Sequence, residues 1–285
     1  MLLLAVSVLG VAPVSTATGQ GSLGPAQAAA IDRIGQTSVS GRFAPSVVIG
    51  VEREGRTVYL RAFGDSQVET KTLARPSTPY QIGSNTKQFT AAAILRLQDE
   101  GKLKVDDRLS KYLPSLPHAN EVTLRQLLTM SSGYADYVEV PHLLEVVRVP
   151  GSSEKAVELV KAMPLDFPPG TRWQYSNSGY ALAQIVIEQT SGMSFNDFLQ
   201  QQFFGPLGMH ATYLRLSGNA KPGVAGEYTS FALGPWERAP YWDYSWFGAA
   251  GALVSDVADL EKWNAALDGG KVLSQRSLDE MFAPG

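Results

Sequence analysis

The 285-residue sequence contains no cysteine, which removes disulfides, thiol nucleophiles and thiolate metal sites in one step. Histidine is scarce. His118, His142 and His210 form no cluster at metal-ligand spacing, so a zinc site is disfavoured. No nucleophile-elbow sequence supports a Ser-His-Asp triad, and the three histidines read as structural. Positive charge is not in excess: 24 Lys and Arg against 27 Asp and Glu leave a formal net charge of −3, which disfavours nucleic acid as a partner. There is no long run of like charge, no internal repeat, and no apolar stretch beyond Val14 that could cross a bilayer. The remaining composition, 44% hydrophobic and 18% charged, is that of a globular chain with room for one large domain or two interleaved lobes.

Leu2 to Val14 are nearly all apolar, and Ser15-Thr16-Ala17 follows as a small-residue cleavage site. Residues 1–17 are therefore expected to be an export signal, although no Lys or Arg precedes the apolar run. The stretch is too short to span a membrane. The expected contact with a membrane is thus through export alone, and the expected location is periplasmic or extracellular. Residues 18–45 form an N-terminal lead with a short helix over Ala26 to Ile34, and residues 46–285 form the main domain.

That domain starts with two apolar-rich runs, Ser46 to Glu52 and Arg56 to Phe63, separated by Glu54-Gly55. They predict a β-hairpin. Beyond Pro76 and Pro79 the period turns helical: Ser84 to Glu100 carries Phe89, Ala93, Ile94 and Leu97 on one face and stops at Gly101. Shorter helices are expected at Leu124 to Thr129 behind the cap Thr123, and at Lys155 to Met163. Another covers Tyr180 to Gln189, and one capped by Ser194 and Asp197 runs to about Phe203. Ser255 is the expected cap of a last helix with Val257, Leu260, Trp263 and Leu267 on one face, ended by Gly269-Gly270. Two strands followed by many helices is an incomplete α+β pattern, because a lone hairpin is marginally stable.

Ser84-Asn85-Thr86-Lys87 is a Ser-x-x-Lys sequence placed where a loop turns into a helix. Residues three apart share a helix face, so the Lys87 amine can reach the Ser84 hydroxyl. The first turn also offers free N–H groups and positive dipole to an oxyanion. Burial lowers the pKa of a lysine toward the working pH, which makes it a base. The tetrapeptide alone is weak, since about one such match arises by chance in a chain of this composition. Ser152-Ser153-Glu154-Lys155 is a second match, but it follows Pro150-Gly151 and reads as a solvated helix start with Ser152 as cap. Tyr175-Ser176-Asn177 is the sequence's single Tyr-x-Asn, on a loop rich in Pro and Gly. Its phenolate can shuttle protons, and its carboxamide can hold a substrate carbonyl, whereas the tripeptide alone reads as a surface turn with a stacked tyrosine.

The ordered set resembles the serine β-lactamase and penicillin-binding superfamily, in its class C, D-Ala-D-Ala carboxypeptidase and esterase branch. The residues that carry the resemblance are Gln81 to Thr90, Val122 to Gly133, Pro168 to Tyr180, Pro206-Leu207-Gly208-Met209 and Gly251 to Asp256. It implies an α+β fold, an antiparallel sheet flanked by helices with a helical lobe. It further implies a hydrolase of amide, ester or lactam bonds: Ser84 as nucleophile, Lys87 and Tyr175 handling protons, Asn177 holding the substrate's acyl side. No cofactor or metal is implied, and the partner is a small-molecule or peptide acyl substrate. The third motif of that family, Lys-Thr-Gly or His-x-Gly on a late strand that supplies the second oxyanion donor, is not found. Lys221-Pro222-Gly223 comes too early and lacks the hydroxyl. A sheet truncated at its C-terminal end is the expectation that follows. The alternative reading is a binding or scaffold homologue that keeps the fold without turnover. The aromatics Trp236, Tyr241, Trp242, Tyr244, Trp246 and Phe247 are dense enough to line an acyl pocket or to pack as a loop core.

Overall fold

The computed structural model describes residues 23–141, 143–231 and 234–283. The expected export segment and His142 lie outside them. The first described element is α1 (Pro25–Ser40), which is longer than the sequence pattern predicts. Pro25 sits in its first turn, where a missing N–H costs nothing. The Asp32 carboxylate accepts from the Tyr59 hydroxyl and the Arg61 guanidinium, both at 2.7 Å, and so ties α1 to the strand that carries them. The hairpin is present as β1 (Ser46–Arg53) and β2 (Arg56–Gln67). Glu54 and Gly55 join the strands with φ of 52° and 71°, the pair of left-handed residues that a two-residue turn needs to match strand twist. β2 runs on past Phe63 and pairs with β3 (Thr72–Leu73).

β4 (Tyr80–Gln81) leads through a 3₁₀ turn at Gly83–Asn85 into α2 (Thr86–Asp99). Then come α3 (Leu124–Leu128), α4 (Leu143–Val146), α5 (Ser153–Lys161) and α6 (Ser178–Ser191). Thr123 caps α3, accepting from the Gln126 N–H, while Ser152 caps α5, accepting from the Lys155 N–H at 3.2 Å. The helix behind Ser194 is compound: α7 (Phe195–Leu199), a π-helical turn at Gln200–Phe204, and α8 (Gly205–Leu207). β5 (Tyr213–Leu214), β6 (Tyr228–Thr229) and β7 (Glu237–Arg238) precede α9 (Gly248–Gly251), β8 (Leu253–Ser255), α10 (Val257–Asp268) and α11 (Gln275–Met281).

Two further features differ from expectation. Ser255 does not cap α10. It ends β8, with its hydroxyl paired to Thr212 at 2.8 Å. The neighbouring Asp256 is the cap, its carboxylate accepting from the Asp259 N–H at 2.8 Å, where negative charge also suits the helix dipole. Strands also exceed the expected hairpin: β4, β8 and β5 form a second antiparallel sheet with β8 central, and β6 pairs with β7. Segments of two or three residues are too short to show alternation.

α2 is the central helix, packed by α6, α9 and α11. Its predicted face, Phe89, Ala93, Ile94 and Leu97, is fully buried. Trp263 of α10 lies against Phe89 with ring centroids 4.3 Å apart, and its indole N–H donates to Gln88 at 2.8 Å. Burying such a ring contributes about 3 kcal/mol. The first turn of α2 is thereby held rigidly in the middle of the molecule.

Candidate active site

Gly83 has φ of 53°, a conformation open to glycine, and it turns the chain from β4 into the 3₁₀ turn that holds Ser84. Two bonds fix this turn: Ile82 N–H to the Leu253 carbonyl at 2.9 Å, and the Thr86 hydroxyl to the Gly83 carbonyl at 2.7 Å. Ser84 is exposed, whereas Lys87, one turn later, is buried among protein atoms. Ser84 thus lies in a tight turn just before the α-helix expected to begin with it.

Lys87 Nζ has four oxygen neighbours. It stands 2.7 Å from the Tyr175 hydroxyl, 2.8 Å from Asn177 Oδ1, 2.7 Å from the Ala250 carbonyl and 3.2 Å from Ser84 Oγ. The Tyr175 hydroxyl and Ser84 Oγ are 2.5 Å apart. The four residues singled out in the sequence therefore converge at one point. The rings of Tyr175 and Tyr180 also face the amine, at 4.8 and 5.4 Å from ring centre to nitrogen.

Burial lowers the pKa of Lys87 from 10.5 to about 8, against an opposing pull from the Asp136 carboxylate. Burial pushes the Tyr175 phenol above its ordinary value, partly offset by its bond to Ser84. Burial thus moves the two groups in opposite directions, the phenol up and the amine down, and the amine is the one brought toward working pH.

Two segments that position these groups left little trace in the sequence. Tyr134 to Tyr137 runs beside Ser176 to Ser178: the Ser178 hydroxyl donates to the Ala135 carbonyl at 2.6 Å and accepts from the Tyr137 N–H at 2.9 Å. Asp136, 4% exposed, accepts through Oδ2 from the Asn177 backbone N–H at 3.1 Å and from Asn177 Nδ2 at 2.9 Å. Gly133 starts this segment with φ of 83°, and a Cβ there would stand 2.1 Å from the Phe167 carbonyl. The second segment is α9, Gly-Ala-Ala-Gly, which delivers the Ala250 carbonyl to Lys87. Thr90 donates to its Ala249 carbonyl and Gln184 accepts the Ala249 N–H, at 2.7 and 2.9 Å. A single buried acid and a helix of small residues have no periodicity to read.

The expected pocket aromatics divide. Trp246 is buried, donating its indole N–H to the Val149 carbonyl, and Trp236 faces Arg42. Trp242 stacks on Phe247 and stays partly exposed. His118 pairs with Glu121 at 3.0 Å, and no cluster of His, Asp or Glu among the described residues could hold a metal ion.

The Beta-lactamase family model matches residues 31–284. Among curated proteins, PbpX of Bacillus subtilis (strain 168) is 31% identical over 82% of this chain and 58% of its own length. Penicillin-binding protein 4* of the same organism is 29% identical over 81% of this chain and 54% of its own. The chain spans about half the length of such relatives. Among solved structures, D-amino acid amidase from Ochrobactrum anthropi SV3, complexed with L-phenylalanine amide, is 27% identical with a TM-score of 0.80, covering 88% of this chain and 73% of its own. The architecture of small antiparallel sheets among helices is the β-lactamase/transpeptidase-like fold. By sequence and by fold, the chain belongs to the Beta-lactamase family.

Proposed function

We propose that the protein is a serine hydrolase that cleaves amide, lactam or ester bonds through an acyl-enzyme on Ser84. The observation that carries this reading is the triangle of Ser84 Oγ, Tyr175 hydroxyl and Lys87 Nζ, with sides of 2.5, 2.7 and 3.2 Å. Ser84 Oγ attacks the carbonyl carbon while its proton passes to Lys87, directly or through Tyr175. The oxyanion forms at the positive end of α2. The same proton then goes to the leaving amine or alcohol as the acyl–N or acyl–O bond breaks. Water attacks the ester on Ser84 and gives a proton to the same pair, which returns it to Ser84 Oγ as the acyl–Oγ bond breaks and the acid leaves.

Asn177 Nδ2 carries two hydrogens and spends one on Asp136, which leaves one to donate to the substrate's acyl side. No step calls for a cofactor. Similarity to a structure of D-amino acid amidase with L-phenylalanine amide favours amino-acid amides among the acyl substrates. We include export in the proposal, on the apolar run Leu2 to Val14.

The test is turnover of phenylalanine amide in both enantiomers, a matching ester and a chromogenic lactam, with wild type and Ser84→Ala side by side. Ser84-dependent release from at least one substrate is expected. If both proteins are equally inert, the reading gives way to a binding homologue without turnover.

A further inference from the structure

We propose that Asp136 is a positioning residue for this chemistry: its carboxylate fixes which end of the Asn177 side-chain amide faces Lys87 and which end is free for the substrate. The inference rests on the Ser84 acyl-transfer reading. An amide has nearly the same shape when turned over, so hydrogen-bond partners must set its orientation. Burial raises the pKa of Asp136, opposed by the N–H groups of Asn177 and Val138 and by the charge of Lys87; as a carboxylate it accepts and cannot donate, so Oδ2 at 2.9 Å can hold the NH₂ end alone. It also accepts from the Asn177 backbone N–H at 3.1 Å, and the other oxygen, Oδ1, accepts from the Val138 N–H at 3.2 Å. The carboxylate is thus clamped to the backbone through both of its oxygens.

An ammonium donates and cannot accept, so while Lys87 is charged it also selects Oδ1, at 2.8 Å. Once Lys87 gives up its proton to act as a base, that selection weakens, because a neutral amine can also accept. Asp136 alone then keeps the NH₂ end away from the amine lone pair. If the amide turned over, its N–H would occupy that lone pair and quench the base.

Asp136 also acts on Lys87 through its charge. The ionisable groups around the amine are Tyr175 and Tyr180, whose rings face it, and Asp136 beyond Asn177; Tyr137 neighbours Asp136. Arg125 and Glu280, which are paired with each other, line together with Lys87 a cavity of about 180 Å³. Asp136 is the carboxylate that opposes the effect of burial on Lys87. Removing its charge should lower the Lys87 pKa further.

The experiment measures the rate of covalent labelling by a fluorophosphonate against pH for wild type, Asp136→Asn and the exchanged pair Asp136→Asn with Asn177→Asp. Wild type should show Ser84-dependent labelling with an acid limb; if it does not, the underlying acyl-transfer reading fails. Given that limb, Asp136→Asn should lower the plateau and move the limb to lower pH. A purely structural residue would lower the plateau without moving the limb. A folded Asp136→Asn protein whose limb stays in place overturns the proposal. If Asp136→Asn does not fold, the exchanged pair decides: it restores one carboxylate facing one amide, and should regain a folded protein with its limb at higher pH than wild type, since the carboxylate now touches Lys87. Failure of the exchange to restore folding overturns the proposal.

Discussion

The carbonyl oxygen of Ala250 lies 2.7 Å from Lys87 Nζ, and this contact decides where the amine can accept a proton. Ala250 O and Asn177 Oδ1 are acceptors only, so a neutral Lys87 aims its two N–H bonds at them. Its lone pair is then left facing Tyr175 and Ser84, both of which can donate. In the proposed mechanism these contacts set the direction of proton transfer before any substrate arrives.

Activity should follow deprotonation of Lys87. With the amine's pKa near 8, the rate of acylation should be low in acid and rise to a plateau above that pH. Initial rates measured from about pH 5 to about pH 9 test this, and a flat profile contradicts it.

The same shift has a consequence for stability. The folded protein holds Lys87 with a pKa of about 8 against an ordinary 10.5, so between those values the unfolded chain binds the extra proton. Stability contributed by this residue therefore rises with pH across that window, and the penalty of the buried cation is fully present below it. Relative to Lys87→Met, wild type should gain a few kcal/mol at most as pH rises from about 8 to about 10. Paired urea titrations read the difference, and a constant gap counts against a buried, depressed lysine.

Ser152 offers an internal control. It matches the same Ser-x-x-Lys pattern, yet its hydroxyl caps α5. Ser152→Ala should leave labelling of Ser84 unchanged and cost about 1 kcal/mol in chemical denaturation. Loss of labelling with stability intact would reverse the two assignments.

How legible the molecule was depended on the length of each signal. α2 could be read because Phe89, Ala93, Ile94 and Leu97 repeat at helical spacing, and all four are fully buried. The hairpin could be read because Glu54-Gly55 divides two apolar runs. β4, β5 and β8 could not, because strands of two or three residues take their stability from the sheet around them rather than from a local pattern. In the site, Ser84, Lys87, Tyr175 and Asn177 stood out as reactive types in short motifs, and their side chains do converge. Asp136 and Ala250 were missed: one is a lone acid in a loop and the other an alanine acting through its carbonyl. The cap of α10 falls one residue past the expected Ser255, at Asp256, because both types cap helices and Ser255 is used in β8.

The central claim is a covalent bond to Ser84 Oγ. Intact-protein mass spectrometry after brief exposure to a fluorophosphonate, followed by peptide mapping, tests it most directly. A single adduct on the peptide containing Ser84, absent from Ser84→Ala and slowed in Lys87→Met, is the expected result. An adduct of equal yield in Ser84→Ala, or one mapped to another residue, would contradict the account.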